Sequence, residues 1–207
     1  YVSNEGNDSG QGSFDDPLEN IDHAEDMATN GDSILVFEGN YGEYSPNKSL
    51  FIGSVHYNNI DSTIIENTQL NRFSIGSNID NVELFGFSII GSSGGIYISN
   101  DNDNILIKYC HVKNNLYGNG NGITIDGEST VTIENCIVLN NPKSGISVID
   151  AGTDLEIHNT IIKENGSELY SGGTGVYMRT GSLTIYNSNI SNNFSGANGS
   201  AVWFVGL

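Results

Sequence analysis

Positive charge is what this chain has least of. Seven Lys and Arg stand against 25 Asp and Glu in 207 residues, a net charge of −18 at neutral pH. A field of that sign repels nucleic acid and anionic membrane, and it draws cations such as Ca²⁺, whose preferred ligands are carboxylate and carbonyl oxygens. No apolar run approaches the roughly 20 residues that a membrane-spanning helix needs, which argues against direct membrane insertion. Only two cysteines occur, and neither sits in a Cys-x-x-Cys, which argues against a metal or catalytic thiol pair. The four histidines, His23, His56, His111 and His158, are scattered through the pattern rather than gathered. Apolar residues make up 37%, low for a sphere but suited to a thin rod with a large outer surface.

What the chain has instead is a phrase repeated with variations: Val131-Thr-Ile-Glu-Asn-Cys-Ile-Val138, Leu155-Glu-Ile-His-Asn-Thr-Ile-Ile162 and Leu183-Thr-Ile-Tyr-Asn-Ser-Asn-Ile190, with earlier copies from Val82 and Ile105. The starts are 23, 26, 24 and 28 residues apart. Such a period marks a solenoid, in which each repeat buries its apolar face only against its neighbours. Within each repeat, apolar residues alternate with period two over three short segments. The first is typified by Val131 and Ile133, the second by Val138 and the third by Ile146 and Val148. Three strands per turn predict a triangular tube, with equivalent residues stacked about 4.8 Å apart.

The corners agree. Gly86, Tyr109, Asn135, Asn159 and Asn187 fall between the first and second strands. Gly and Asn tolerate the left-handed backbone of a sharp bend, and Tyr109 is the exception. A second column, Asn115, Asn141, Asn165 and Asn193, follows strand two, and Gly95, Gly122, Gly145 and Gly175 open strand three. The fold expected is an all-β, right-handed parallel β-helix, a three-sheet solenoid over residues 32–207. Residues 1–31 form its N-terminal cap. Asp16 as N-cap, Pro17 at the first helical position and the stripe Leu18, Ile21, Ala24 and Ala28 predict a short capping helix ending at Asn30-Gly31. Less regular coils lie around Leu50–Ile52, Thr63–Ile65 and Phe73–Ile75.

The opening residues, Tyr1-Val-Ser-Asn-Glu-Gly-Asn-Asp8, Gly12-Ser-Phe-Asp-Asp-Pro-Leu18, Asn30-Gly-Asp-Ser-Ile34 and Gly39-Asn-Tyr41, resemble the start of many extracellular right-handed β-helix proteins. Two groups share it: polysaccharide lyases of the pectate-lyase-like kind, and large adhesin-like surface proteins of methanogenic archaea. The Asn-Cys/Thr/Ser corners and Asn-Asn columns are more similar to the second. The resemblance implies an extracellular or cell-surface module that is structural or adhesive and not enzymatic. Its partners would be copies of itself, further coils or a polysaccharide, and it would require no cofactor. The alternative is a Ca²⁺-dependent polysaccharide lyase, in which Ca²⁺ neutralises a uronate carboxylate and a nearby Lys or Arg takes the α-proton.

Several side-chain sets are candidates for that role. Asp101, Asp103, Asp126, Asp150 and Asp154 fall in loops after strand three, where successive coils would align them as an acidic ridge able to hold Ca²⁺. Against the lyase, no Lys or Arg cluster lies beside them in the sequence pattern. Tyr177 and Trp203 share one outward column and could form a sugar platform, or simply a stabilising cross-strand pair. Cys110 and Cys136 occupy one column with Thr160 and Ser188, as buried thiols or, by distance, a disulfide. Six sequons, at Asn7, Asn47, Asn165, Asn189, Asn193 and Asn198, are candidates for glycosylation. Starting at Tyr1 rather than Met, the chain reads as a processed product or an excerpt. The apolar stretch with Trp203, Phe204 and Leu207 is expected to receive more coils or another subunit.

Overall fold

The computed structural model describes residues 1–56, 67–91, 94–116, 120–150, 152–168, 174–196 and 201–205. The expected segment Thr63–Ile65 lies outside them. Every strand pairing within them is parallel. Five regular coils, numbered one to five here, present their first face through Glu83–Phe85, Asn102–Lys108, Ser129–Glu134, Asp154–His158 and Ser182–Tyr186. Their second face is Ser88–Ile90, His111–Lys113, Ile137–Leu139, Ile161–Lys163 and Asn189–Ser191. Their third is Ile96–Ile98, Ile123–Ile125, Ile146–Val148, Val176–Met178 and Val202–Phe204. Ser33–Val36 and Phe51–Ser54 extend the first face to seven strands. The other two faces are joined through Thr68–Ile75 into one twelve-stranded sheet, an eleven-strand path with Gly39–Tyr44 paired to Thr68–Ile75 off it. In that strand Leu70 pairs with Ile89 on the second face, while Phe73 pairs with Ile96 on the third.

The register places like on like. Leu84, Ile107, Ile133, Ile157 and Ile185 form one inward column, Ile89, Val112, Val138, Ile162 and Ile190 another, and Ile96, Ile123, Ile146, Val176 and Val202 a third. Most are fully buried, each stabilising the fold by about 1.5–3 kcal/mol. In coil five nothing described lies over the column, and Ile185, Val202 and Phe204 are 37%, 39% and 47% exposed.

The corner column takes left-handed backbone at every position, Tyr109 included (φ 53°). Its ring accepts the Lys108 ammonium at 5.3 Å and meets Phe85 at 6.4 Å, contacts that offset the steric cost of a β-carbon there. The second Asn column is a buried ladder. Asn115 Nδ2 donates to Asn141 Oδ1 at 3.0 Å, Asn141 Nδ2 to Asn165 Oδ1 at 2.9 Å, and Asn165 Nδ2 to Asn193 Oδ1 at 2.9 Å. Each Oδ1 also receives the preceding asparagine's backbone N–H. The glycines opening strand three follow from this: a β-carbon on Gly145 would stand 2.9 Å from Asn165 Nδ2 and 2.8 Å from Gly175 O. Cys110, Cys136, Thr160 and Ser188 form a third such column, each side chain accepting or donating between coils.

The cap departs from expectation at its start. The helix runs Ile21–Met27, with Asn20 as an N-cap whose side chain bonds Asp8 and not the helix N–H groups. Asp16 instead accepts the N–H of Gln11, and Leu18 is held in extended backbone by Val2, whose other neighbour is Val36. Local cap chemistry yields here to pairing with the first coil. Glu25 is buried and accepts the Tyr44 hydroxyl at 3.1 Å and the Asn47 N–H at 2.7 Å. Lys48 donates to the helix-terminal carbonyls of Glu25 and Ala28.

Two outcomes are expected. Asn141→Ala strands buried donors on Asn115 and the Val112 carbonyl, and should lower the unfolding free energy by about 3 kcal/mol or more. Asn135→Ala at the corner should cost about 1 kcal/mol, both read by urea denaturation. The second concerns acid. Hydrogen bonds from Asn20 and Glu19 hold the Asp8 carboxyl below its ordinary 3.8, so it stabilises the fold above that pH and loses this as pH falls through its lowered folded value. Asp8→Asn should flatten the acid limb of the stability profile.

Candidate functional site

The corner joining the third face to the first gathers five carboxylates in one groove. Asp80, Asp101, Asp103, Glu128 and Asp154 line a shallow polar groove of about 410 Å³ with Ser129, Thr130 and Gly152. The column is knit by its own hydrogen bonds: Asp103 N–H to Asp80 Oδ1 at 2.8 Å, Thr130 Oγ1 to Asp103 Oδ1 at 2.9 Å, and the Ser182 hydroxyl to Asp154 Oδ1. Three of the five sequence candidates, Asp101, Asp103 and Asp154, are therefore brought together. The other two are not. Asp126 accepts the Tyr97 hydroxyl at 2.6 Å, and Asp150 lies 3.7 Å from Arg179. Among the described residues, no three His, Cys, Asp or Glu side chains converge as a metal ion requires. The reason is the coil spacing, which sets neighbouring carboxylates side by side along the axis instead of around a point.

The third face supplies the aromatics. Its outward column reads Tyr97, Thr124, Ser147, Tyr177 and Trp203. Tyr177 and Trp203 meet edge to face, centroids 5.1 Å apart. Thr124, though outward, is only 2% exposed because Asn121 lies over it, Nδ2 donating to Oγ1 at 3.2 Å. At the other end Arg72 stands 5.8 Å over the Tyr97 ring, and the Asp126 hydrogen bond, with burial, raises the Tyr97 hydroxyl above its usual pKa. This Arg72–Tyr97–Asp126 group escaped sequence reading, since Arg72 lies in the irregular strand before the repeats begin. Glu25 was also missed, although its spacing from Ile21 and Ala28 marks the buried helix face.

The remaining candidates divide by orientation. Asn165 and Asn193 point inward, their amides committed to the ladder, so these two sequons offer no accessible nitrogen for a glycan in the folded chain. Asn7, Asn47 and Asn189 are exposed. Asn198 and Leu207 lie outside the described residues. Cys110 and Cys136 are free buried thiols, and burial raises that of Cys136.

Parallel coils, three faces and stacked polar ladders define a right-handed β-helix solenoid. The chain belongs to the family described as the right handed beta helix region, which matches residues 26–162. It is 33% identical over 161 residues to a cell surface glycoprotein of Methanothermus fervidus, a match covering 72% of this chain and 24% of that protein. Among solved structures it is similar to pectate lyase Pel9A (TM-score 0.65, 16% identity, 96% of this chain and 65% of the other). It is also similar to a rhamnogalacturonan lyase (TM-score 0.54, 16% identity, 98% and 64%). At those identities the likeness to the lyases is one of fold. The chain spans about a quarter of the surface glycoprotein and just under two thirds of each lyase.

The Tyr177–Trp203 pair is expected to give a coupling energy of about 0.5–1.5 kcal/mol in a double-mutant cycle of alanine variants. Coupling near zero would mean that the rings do not support one another and are held for something else.

Proposed function

We propose that this chain is a non-enzymatic structural or adhesin-like module of a cell-surface protein. The observation that carries the reading is its relationship to the archaeal cell surface glycoprotein. The chemistry of the side chains supports it. Polar groups repeat coil by coil along the axis, as suits a rigid spacer or a binding strip, and the charge of −18 keeps such a rod soluble and hydrated. Antibody raised against the folded module should label intact cells of the source organism, and mild protease treatment of those cells should remove the signal. Signal confined to lysed cells would end the proposal. In protein isolated from those cells, glycopeptide mass spectrometry is expected to find glycan only among Asn7, Asn47, Asn189 and Asn198, with Asn165 and Asn193 bare.

A second reading, a polysaccharide lyase, is favoured by one contact. Arg179, 3.7 Å from Asp150, sets a guanidinium in the loop after the third face, outside the acidic groove itself. Release of unsaturated uronate from pectic polymers in the presence of Ca²⁺, with Arg179→Ala abolishing it, would decide for this reading; no release by the wild-type chain would remove it.

A further inference from the structure

The second face stands apart from the rest of this acidic surface. The outward residues of its strands in coils one to four include no carboxylate. One column reads Ile90, Lys113, Leu139 and Lys163, and beside it stand Ile137 and the 37% exposed Ile161. Four aliphatic side chains and two lysines thus make an apolar, basic strip on a molecule with only seven basic residues. The acidic column lies at the one corner that the second face does not adjoin, and it occupies the same coils.

Coil by coil the two columns correspond. Coil two carries Asp103 at the corner and Lys113 on the face. In coil three this column carries Thr130, matched by Leu139 on the face, both uncharged, while Glu128 stands in the neighbouring column beside Asp101. Coil four carries Asp154 and Lys163. Coil one sets Asp80 against Ile90, and coil five sets Ser182 against Ser191. A second copy displaced sideways, with no shift along the axis, therefore brings Asp103 and Asp154 opposite Lys113 and Lys163 and leaves Asp80 over Ile90. Asp103 and Asp154 are exposed, Asp103 accepting the Thr130 hydroxyl and Asp154 the Ser182 hydroxyl through Oδ1. Lys163 Nζ also lies 3.8 Å from Glu164, which orients it without burying it.

Resting on the reading as a surface module, we propose that the second face of one copy receives the acidic corner of the next, forming a lateral row of parallel solenoids. The contact is heterologous, so it repeats instead of closing into a dimer. Aliphatic burial supplies adhesion, and the charge register selects the zero-shift alignment.

The test is charge exchange. Sedimentation velocity of the wild-type chain at rising concentration should show association that weakens as NaCl increases. Lys113→Glu/Lys163→Glu should weaken it about tenfold or more, and so should Asp103→Lys/Asp154→Lys, each keeping a cooperative unfolding transition and the wild-type circular-dichroism spectrum. Mixing the two variants should restore association, because each then presents the charge the other needs. Carbodiimide crosslinks should join Lys113 to Asp103 and Lys163 to Asp154 of another copy. A wild-type chain that stays monomeric, a mixture that fails to associate, or crosslinks elsewhere would overturn the contact, even if surface labelling had upheld the surface reading. Retention of the monomer on an acidic polysaccharide matrix, lost with the lysine variant, would assign the strip to a glycan and overturn it too.

Discussion

A coil of about two dozen residues has no interior of its own. Its aliphatic side chains become buried only when the next coil lands on it in register, so every other feature depends on stacking at a single rise of about 4.8 Å. Backbone hydrogen bonds alone do not select that register, since a parallel ladder could slip by two residues and still pair. The Asn115–Asn193 column does select it. Each amide needs the carbonyl oxygen of its counterpart one coil away, and a slipped coil would leave buried amides without partners. The glycines at 122, 145 and 175 exist to make room for it.

The same stacking governs the surface. Whatever side chain occupies an outward position recurs as a line parallel to the axis, so chemistry is distributed in stripes and rarely converges on a point. Carboxylates become a ridge, lysines and aliphatics a strip, aromatics a pair. Stripes suit extended partners: a polymer, or the flank of another rod. The lyase-like solved structures share the scaffold, and what distinguishes one solenoid from another is what its corners carry.

Most of the coil architecture was legible because period-two alternation repeats at nearly constant spacing. The left-handed corners at Asn135, Asn159 and Asn187 and the outward column from Tyr97 to Trp203 could be named before any coordinate was known. The cap helix was misplaced, since Asp16-Pro17 satisfies every local rule for a helix start while Val2 holds Leu18 in a bridge. The acidic candidates were partly separated for a related reason. Asp126 and Asp150 follow strand three as closely as Asp101 does, but Tyr97 and Arg179 draw them off the ridge.

By itself, then, the sequence determined the tube, its three faces, its register and the sign of its field, because those depend on periodicity and composition summed over many residues. Which asparagines are sequestered, which carboxylates share a groove and which lysines stand in the same coil as aspartates were decided only by the folded chain. Those relations join residues that are distant along the chain, and a difference of one position turns a side chain from the surface to the core.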